Sequence, residues 1–281
     1  VKAEKATRPY LRQLDHGLHR AKLLIKRSGF SNFDEERILR KYVDALLPVH
    51  HTRTAVDLGA GDGVKGSNTF ALFASGWRGL GVELNARRAG RLAKTYEPFT
   101  NVAALCARVM PQTIVALLEE HNVARDFSVL SLDIDSYDYL VLDAVLTEFR
   151  PQIVVTEINE KIPPPVRFHV KYDADFQLSH HFYGYSIQSL ADLCARHDYT
   201  ILELEYNNAF IAPRELAGDA HTSVEEIYRR GYLERSDRRK KFHSNSDVDI
   251  LHTLSPPEAL KFINRFFAKH RGKYELSLGR P

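Results

Sequence analysis

Asp57, Glu83, Asp133, Asp135 and Glu157 sit at, or just beyond, the ends of short apolar runs, where buried strands would give way to loops. Carboxylates so placed can grip a cationic or hydroxylated ligand, or gather a metal ion. Around the first of them the chain reads TAVDLGAGDGVKGSNTF over 54–70, with Gly59, Gly61 and Gly63 between small or acidic residues. Glycine in such numbers weakens regular structure, and its compensating use is close approach of backbone to a ligand. Glu83 follows Asp57 by 26 positions and ends a second apolar run, where an acid can hold both hydroxyls of a ribose. The spacing is D-x-G-x-G-x-G, not the G-x-G-x-x-G of dinucleotide loops. An acid here repels a pyrophosphate and suits a sulfonium or an ammonium group.

The second constellation is SLDIDSYDY, which carries Asp133, Asp135 and Asp138, with Glu157 and Asn159 leaving the next apolar run. Exits of neighbouring strands lie about 4.8 Å apart, so these oxygens would meet. Facing carboxylates repel unless protonated or neutralised, and an all-oxygen set favours Mg²⁺ or another hard divalent cation. Such a cation would bind vicinal hydroxyls and lower the pKa of one of them. The alternative is that Asp133 caps a turn while the others are solvated. For a general base the candidates are His180 and His181, in a Pro-, His- and Tyr-rich stretch, with Asp135 competing. Phe182, Tyr183 and Tyr185 could stack on a sugar or merely pack.

These residues need a frame, and the chain supplies one. From residue 54, short apolar runs alternate with amphipathic segments: strands near 54–59, 78–85, 101–109, 127–135 and 151–159, with helices over 65–76, 86–97, 111–122 and 137–149. This predicts an α/β, doubly wound (Rossmann-like), mostly parallel sheet. A helix over 186–199 and paired strands over 200–213 predict an antiparallel C-terminal edge. Two N-terminal helices are expected, one basic over 8–27 and one over 33–48 opened by Ser31 and Asp34. The organisation reads as an N-terminal helical segment (1–50), a ligand-binding domain (51–216) with a lid-like loop at 160–185, and a polar, basic excursion with a C-terminal helix (217–281).

Composition excludes several classes. With 281 residues, 44% hydrophobic and 27% charged, the chain has the make-up of a globular protein with a well-buried core. A net charge of +3 gives no case for nucleic acid. Cys106 and Cys194 alone do not make a disulfide framework and fit a reducing compartment. No apolar run approaches the roughly 18 residues of a membrane span, and no signal-peptide core is visible, so a cytoplasmic protein is expected.

On VDLGAGDG and GVELN the sequence resembles class I S-adenosylmethionine-dependent methyltransferases. That resemblance implies that Asp57, Gly59 and Gly61 line the methionine portion and that Gly63 turns toward the helix. It implies Glu83 at the ribose, Cys106, Ala107 and Arg108 beside the adenine, and Asp133 at the cofactor. LDIDSYDY with IVVTEIN is similar to the strand exits of FkbM-type and TylF-type sugar O-methyltransferases, as is HFYGYSIQSLADLCARHDYTILELEYNNAFIAPREL. It implies S-adenosyl-L-methionine, Mg²⁺ on Asp133, Asp135, Glu157 and Asn159, and a small-molecule or glycan acceptor. Ile158 stands where the resembling family has a second acid, with Asn159 one place later. No N/D-P-P-Y tetrad for amine methylation is present. The alternatives are methylation of RNA 2′-hydroxyls, suggested by Arg238, Arg239, Lys240 and Lys241, and an inactive scaffold of the same fold.

Overall fold

A computed structural model describes residues 29–218 and 222–279. The expected helix over 8–27 lies outside the described residues. The chain enters through α1 (Glu35–Leu46) and then alternates β1 (Thr54–Leu58), α2 (Phe70–Ala74), β2 (Arg78–Glu83), α3 (Ala86–Tyr96), β3 (Val102–Cys106), α4 (Ile114–Glu120), β4 (Val129–Leu132), α5 (Asp138–Glu148) and β5 (Ile153–Glu157). After a hairpin-like insertion containing β6 (Val166–Val170) come α6 (Ile187–His197), β7 (Tyr199–Glu205) and β8 (Asn208–Pro213). The closing elements are α7 (Pro256–Phe266) and β9 (Tyr274–Leu278).

The main sheet runs β3-β2-β1-β4-β5-β8-β7. β1 to β5 are parallel, and β8 runs antiparallel to both β5 and β7. Neighbouring strand residues send side chains to opposite faces. Ala55, Val129, Ile153, Val155 and Phe210 therefore join Ile38 and Leu39 of α1, Phe70 and Phe73 of α2 and Leu92 of α3 in one core. Val56, Leu58, Leu130, Leu132 and Val154 join Val141 and Leu142 of α5 and Leu190 of α6 in the other. Covering both faces explains why every residue of β1 and β4 is buried.

Local chemistry trims several expected elements. The helix expected over 65–76 is only Phe70–Ala74, because Gly66 has φ +74° and Ser67 Oγ accepts from the backbone N–H of Thr69 and Phe70. Asp34 precedes α1 without a side-chain cap bond; Ser31 Oγ instead takes the Glu36 N–H at 3.2 Å.

The stretch read as a lid-like loop contains a strand. β6 buries Val166, Phe168 and Val170 on one face and pairs antiparallel with β9, from Val166 opposite Leu278 to Val170 opposite Tyr274. The stretch after 217, read as a polar excursion, packs in its described part. Tyr228 and Tyr232 enter the sheet core, while Val248, Leu251, Ala259, Ile263 and Phe267 form a third core with β6 and Phe182.

Candidate active site

β1 lies between β2 and β4, the position where an open α/β sheet changes winding direction and leaves a crevice at the strand ends. A cavity of about 810 Å³ fills that crevice, with Asp57, Gly59, Gly61, Glu83, Ala107, Arg108, Asp133 and Asp135 in its wall.

The three loop glycines have three different reasons. At Gly59 (φ +95°) a Cβ would stand 1.7 Å from the Asp133 carbonyl oxygen, so side-chain loss lets the β1 exit lie against the β4 exit. At Gly61 (φ +60°) a Cβ would meet nothing within 4 Å, and that open face belongs to the cavity. At Gly63 a Cβ would press on Leu92 and Tyr96 of α3, so this glycine packs a helix and lies outside the cavity wall.

Glu83 ends β2 with its carboxylate fixed by two backbone donors, Gly61 N at 3.1 Å and Asn85 N at 2.6 Å. Each oxygen keeps a lone pair for a ligand hydroxyl. Asp57 is buried and accepts from Thr69 Oγ1 at 2.6 Å; burial pushes its carboxyl up to about 6, against the pull of the Thr69 and Ser131 hydroxyls. Beyond β3, Ala107, Arg108 and Val109 line the cavity. Cys106, named with them from the sequence, is not in the wall itself; its Sγ lies 3.9 Å from the carbonyl of Leu84, which is.

At the far end, oxygens of Asp133, Asp135 and Glu157 all lie within 4.8 Å of one another. Their loop is built by Asp138, whose buried carboxylate accepts from Ile134 N and Ser136 N, both at 2.8 Å. Asp135 is held at φ +56°, a conformation that costs a non-glycine residue and recurs at functional sites. Glu157 is oriented by Asn207 Nδ2 at 2.6 Å, from the β7–β8 turn. Asp133 and Asp135 open onto the cavity, yet protein surrounds them on the other sides. Desolvation first, and then repulsion from Asp135 and Asp138, drives the Asp133 carboxyl upward against the pull of a hydrogen bond with Glu157. Desolvation first, and then repulsion from Asp133 and Asp135, drives Glu157 upward. Asp135 is also raised by desolvation, with Arg88 and Lys161 opposing.

The other predicted ligands go elsewhere. Asn159 is fully buried, and its amide nitrogen donates to the carbonyls of His181 and Tyr183, both at 2.9 Å. It clamps the insertion, and its neighbouring pocket faces Val248 and Phe266 rather than the crevice. His180 and His181 are not in the crevice wall either; buried His181 points Nε2 at Asp247 Oδ1, 3.0 Å away. Phe182 and Tyr185 are core residues, and Tyr183 bonds Lys161 and Glu160. The insertion meets the cavity instead through Phe176 and the half-exposed Leu178.

Two cations act on Asp135: Arg88, which spacing did not single out, and Lys161, which from the sequence alone reads as misplaced, directly after the fifth strand. Arg88 comes from the first turn of α3 and lines the cavity. Lys161 is buried, 3.2 Å from Glu160 and 2.6 Å from Tyr183 Oη. A lysine four places beyond the Glu157 exit was the available signal. The basic run at 238–241 is largely tied down: Arg238 is buried against Asp249, Arg239 also reaches Asp249, and Lys241 pairs with Asp237 over the Tyr206 ring. No helix among the described residues is long and apolar enough to cross a membrane.

No family model matches the chain, and no curated protein matches it. Among solved structures, similar ones are S-adenosylmethionine-dependent methyltransferases at low identity. The N-terminal domain of EvdMO1, solved with SAH and D-fucose, is 13% identical at a TM-score of 0.43 over 71% of this chain and 96% of that one. A methyltransferase from Clostridium acetobutylicum is 13% identical at 0.42, over 71% and 98%. The CurJ carbon methyltransferase is 10% identical at 0.40 over 63% of this chain, which spans about half (52%) of that structure. Likeness at this level does not bear on the reaction, and the doubly wound fold is established by strand order.

Proposed function

We propose that the chain is an S-adenosylmethionine-dependent O-methyltransferase acting on a hydroxyl of a sugar, glycan or other small polyhydroxylated acceptor, with a hard divalent cation at Asp133, Asp135 and Glu157. The observation that carries the reading is the pairing of Asp57 and Glu83 across the open face of Gly61. A dinucleotide pyrophosphate would lie against the Asp57 carboxylate, whereas a sulfonium and an α-ammonium find a counter-charge there. The sheet agrees, since the dinucleotide order 3-2-1-4-5-6 has no antiparallel strand inserted after the fifth, as β8 is here.

The donor set fits both groups. Glu83 would take the ribose hydroxyls, the Gly59–Gly61 backbone would follow the methionine portion, and Ala107 and Val109 would flank the adenine. Three carboxylates with raised affinity for protons are equally a site that a cation would relieve. The cation, when bound, would lower the pKa of an acceptor hydroxyl. Asp135 would take the hydroxyl proton, and the acceptor oxygen would attack the methyl carbon, the new C–O bond forming as the S–CH₃ bond breaks and the donor leaves as neutral S-adenosylhomocysteine. Arg88 and Lys161 would favour the ionised, proton-accepting form of Asp135 against its desolvation. Phe176 and Leu178 shield the reacting end from water.

Among the described residues, internal pairing engages Arg238 and Lys241, two of the four basic residues on which the RNA reading rests. Calorimetry with S-adenosylhomocysteine and with NAD tests the proposal. Tight binding of the former and none of the latter is expected; the reverse preference would refute it.

A further inference from the structure

We propose a second metal site, of the zinc type, built by His180, His181 and Asp247 on the face that joins the insertion to the C-terminal segment. It is independent of the reaction assigned above. One ligand atom from each of the three lies within 4.8 Å of the other two. The two imidazoles stand edge to face, with ring centroids 3.8 Å apart and planes at 77°. His181 Nε2 and Asp247 Oδ1 are 3.0 Å apart. Ligands on a tetrahedral zinc, at about 2.0–2.1 Å, are separated by roughly 3.3 Å, so the ion is admitted when the His181–Asp247 pair opens by a few tenths of an ångström and His180, within 4.8 Å, closes toward it. The Nε2 proton leaves as the metal arrives. Two imidazoles and one carboxylate suit Zn²⁺ and its late first-row neighbours, not the hard cations of an all-oxygen set.

The ligands stand on anchored turns. On one side Phe182, buried against His270 with ring centroids 3.9 Å apart, follows His181 directly, and the turn closes by Phe182 N donating to the Ser179 carbonyl at 2.7 Å. Asn159 fixes the His181 carbonyl from beneath. On the other side, buried Asn245 and Val248 flank Asp247, with Asn245 Nδ2 donating to Glu160 at 2.6 Å. His180 and Asp247 are solvent-facing, which gives an entry path and room for a fourth, water ligand. His180 is held at φ +40°, a strained position for a side chain facing only solvent. Lys161, the neighbouring cation, is paired with Glu160 at 3.2 Å. Bound zinc would clasp two segments more than sixty positions apart in sequence.

The test uses the whole chain, stripped with chelator and dialysed against micromolar free Zn²⁺. One zinc per chain is expected to be retained. His180→Ala and Asp247→Asn should each weaken retention at least tenfold, while Asp135→Asn and excess Mg²⁺ leave it unchanged. Equal apo melting temperatures for the variants and the unaltered chain establish that lost zinc is not lost fold. Co²⁺ bound to the unaltered chain gives a check without substitutions: paramagnetic shifts should fall on the ring protons of His180 and His181. Failure of the unaltered chain to retain zinc would overturn the site. So would zinc binding that survives both substitutions, or shifts on other histidines.

Discussion

Gly59 and Asp133 touch backbone to backbone: a Cβ on the glycine would sit 1.7 Å from the aspartate's carbonyl oxygen. The contact joins the glycine-loop end of the cleft to the acid end, and only the glycine permits it. Gly59→Ala should cost about 2–4 kcal/mol, since the obstacle is main chain and cannot rotate away. Gly61→Ala should cost only about 1–2 kcal/mol for its left-handed backbone while weakening S-adenosylhomocysteine binding at least tenfold. Urea denaturation beside calorimetry separates the two. Equal stability losses would contradict these roles.

Glu83→Ala should weaken cofactor binding tenfold or more, because hydrogen bonds to a charged group are worth about 1.5–3 kcal/mol. The variant also frees the Gly61 and Asn85 N–H groups, so Glu83→Gln is the milder comparison. Unaltered affinity in both, by calorimetry, would remove Glu83 from the site.

Turnover should disappear in EDTA and return with Mg²⁺, Mn²⁺ or Ca²⁺. Asp135→Asn and Glu157→Gln should lower kcat at least a hundredfold with little change in cofactor affinity. Asn207→Ala, which only frees Glu157 to rotate, should lower kcat about tenfold, in line with the loss of one supporting hydrogen bond around a metal ligand. Full activity in chelator would dismiss the cation and leave Asp135 unaided.

His252 is a stability switch at acid pH. Burial, with help from Arg238, pushes its imidazole down to about 4. The unfolded chain binds that proton near pH 6.5 and the folded chain resists it. Its contribution is complete above about pH 6.5 and is lost as pH falls toward 4. Between pH 7.5 and 5.0 the unaltered chain should lose about 2 kcal/mol that His252→Gln does not lose. Parallel urea midpoints for the two chains across that range would disprove it.

The legible parts of the fold were those fixed by local pattern. Alternation of apolar runs and helices placed β1 to β5 within a few residues, and the D-x-G-x-G-x-G and Glu83 pair located the cleft. β6 was missed although Val166, Phe168 and Val170 alternate cleanly, because the prolines at 163–165 and the surrounding histidines read as loop. Its partner β9 lies far along the chain, and long-range pairing leaves no mark in a local window. His180 and His181 drew attention by residue type. Where they face depends on Phe182 and Asn159, which turn that segment toward Asp247. Asn207 and Arg88 could not be ranked from spacing, since their importance comes from the neighbouring strand end each one reaches.

The pairing of β6 with β9 sets a timetable. By the time residue 213 has been synthesised, every strand of the main sheet is available and the cleft floor can close. Until residues 274–278 emerge, over a hundred positions after β6, the insertion that carries Phe176 and Leu178 has only the bridge of His169 to Tyr185, and the other edge of β6 stays open. For that interval the ribosome-bound chain holds a finished sheet and an unpaired, half-apolar edge, the kind of surface that recruits other strands. Chaperone occupancy during synthesis should therefore centre on 166–170 and fall away once β9 has left the exit tunnel.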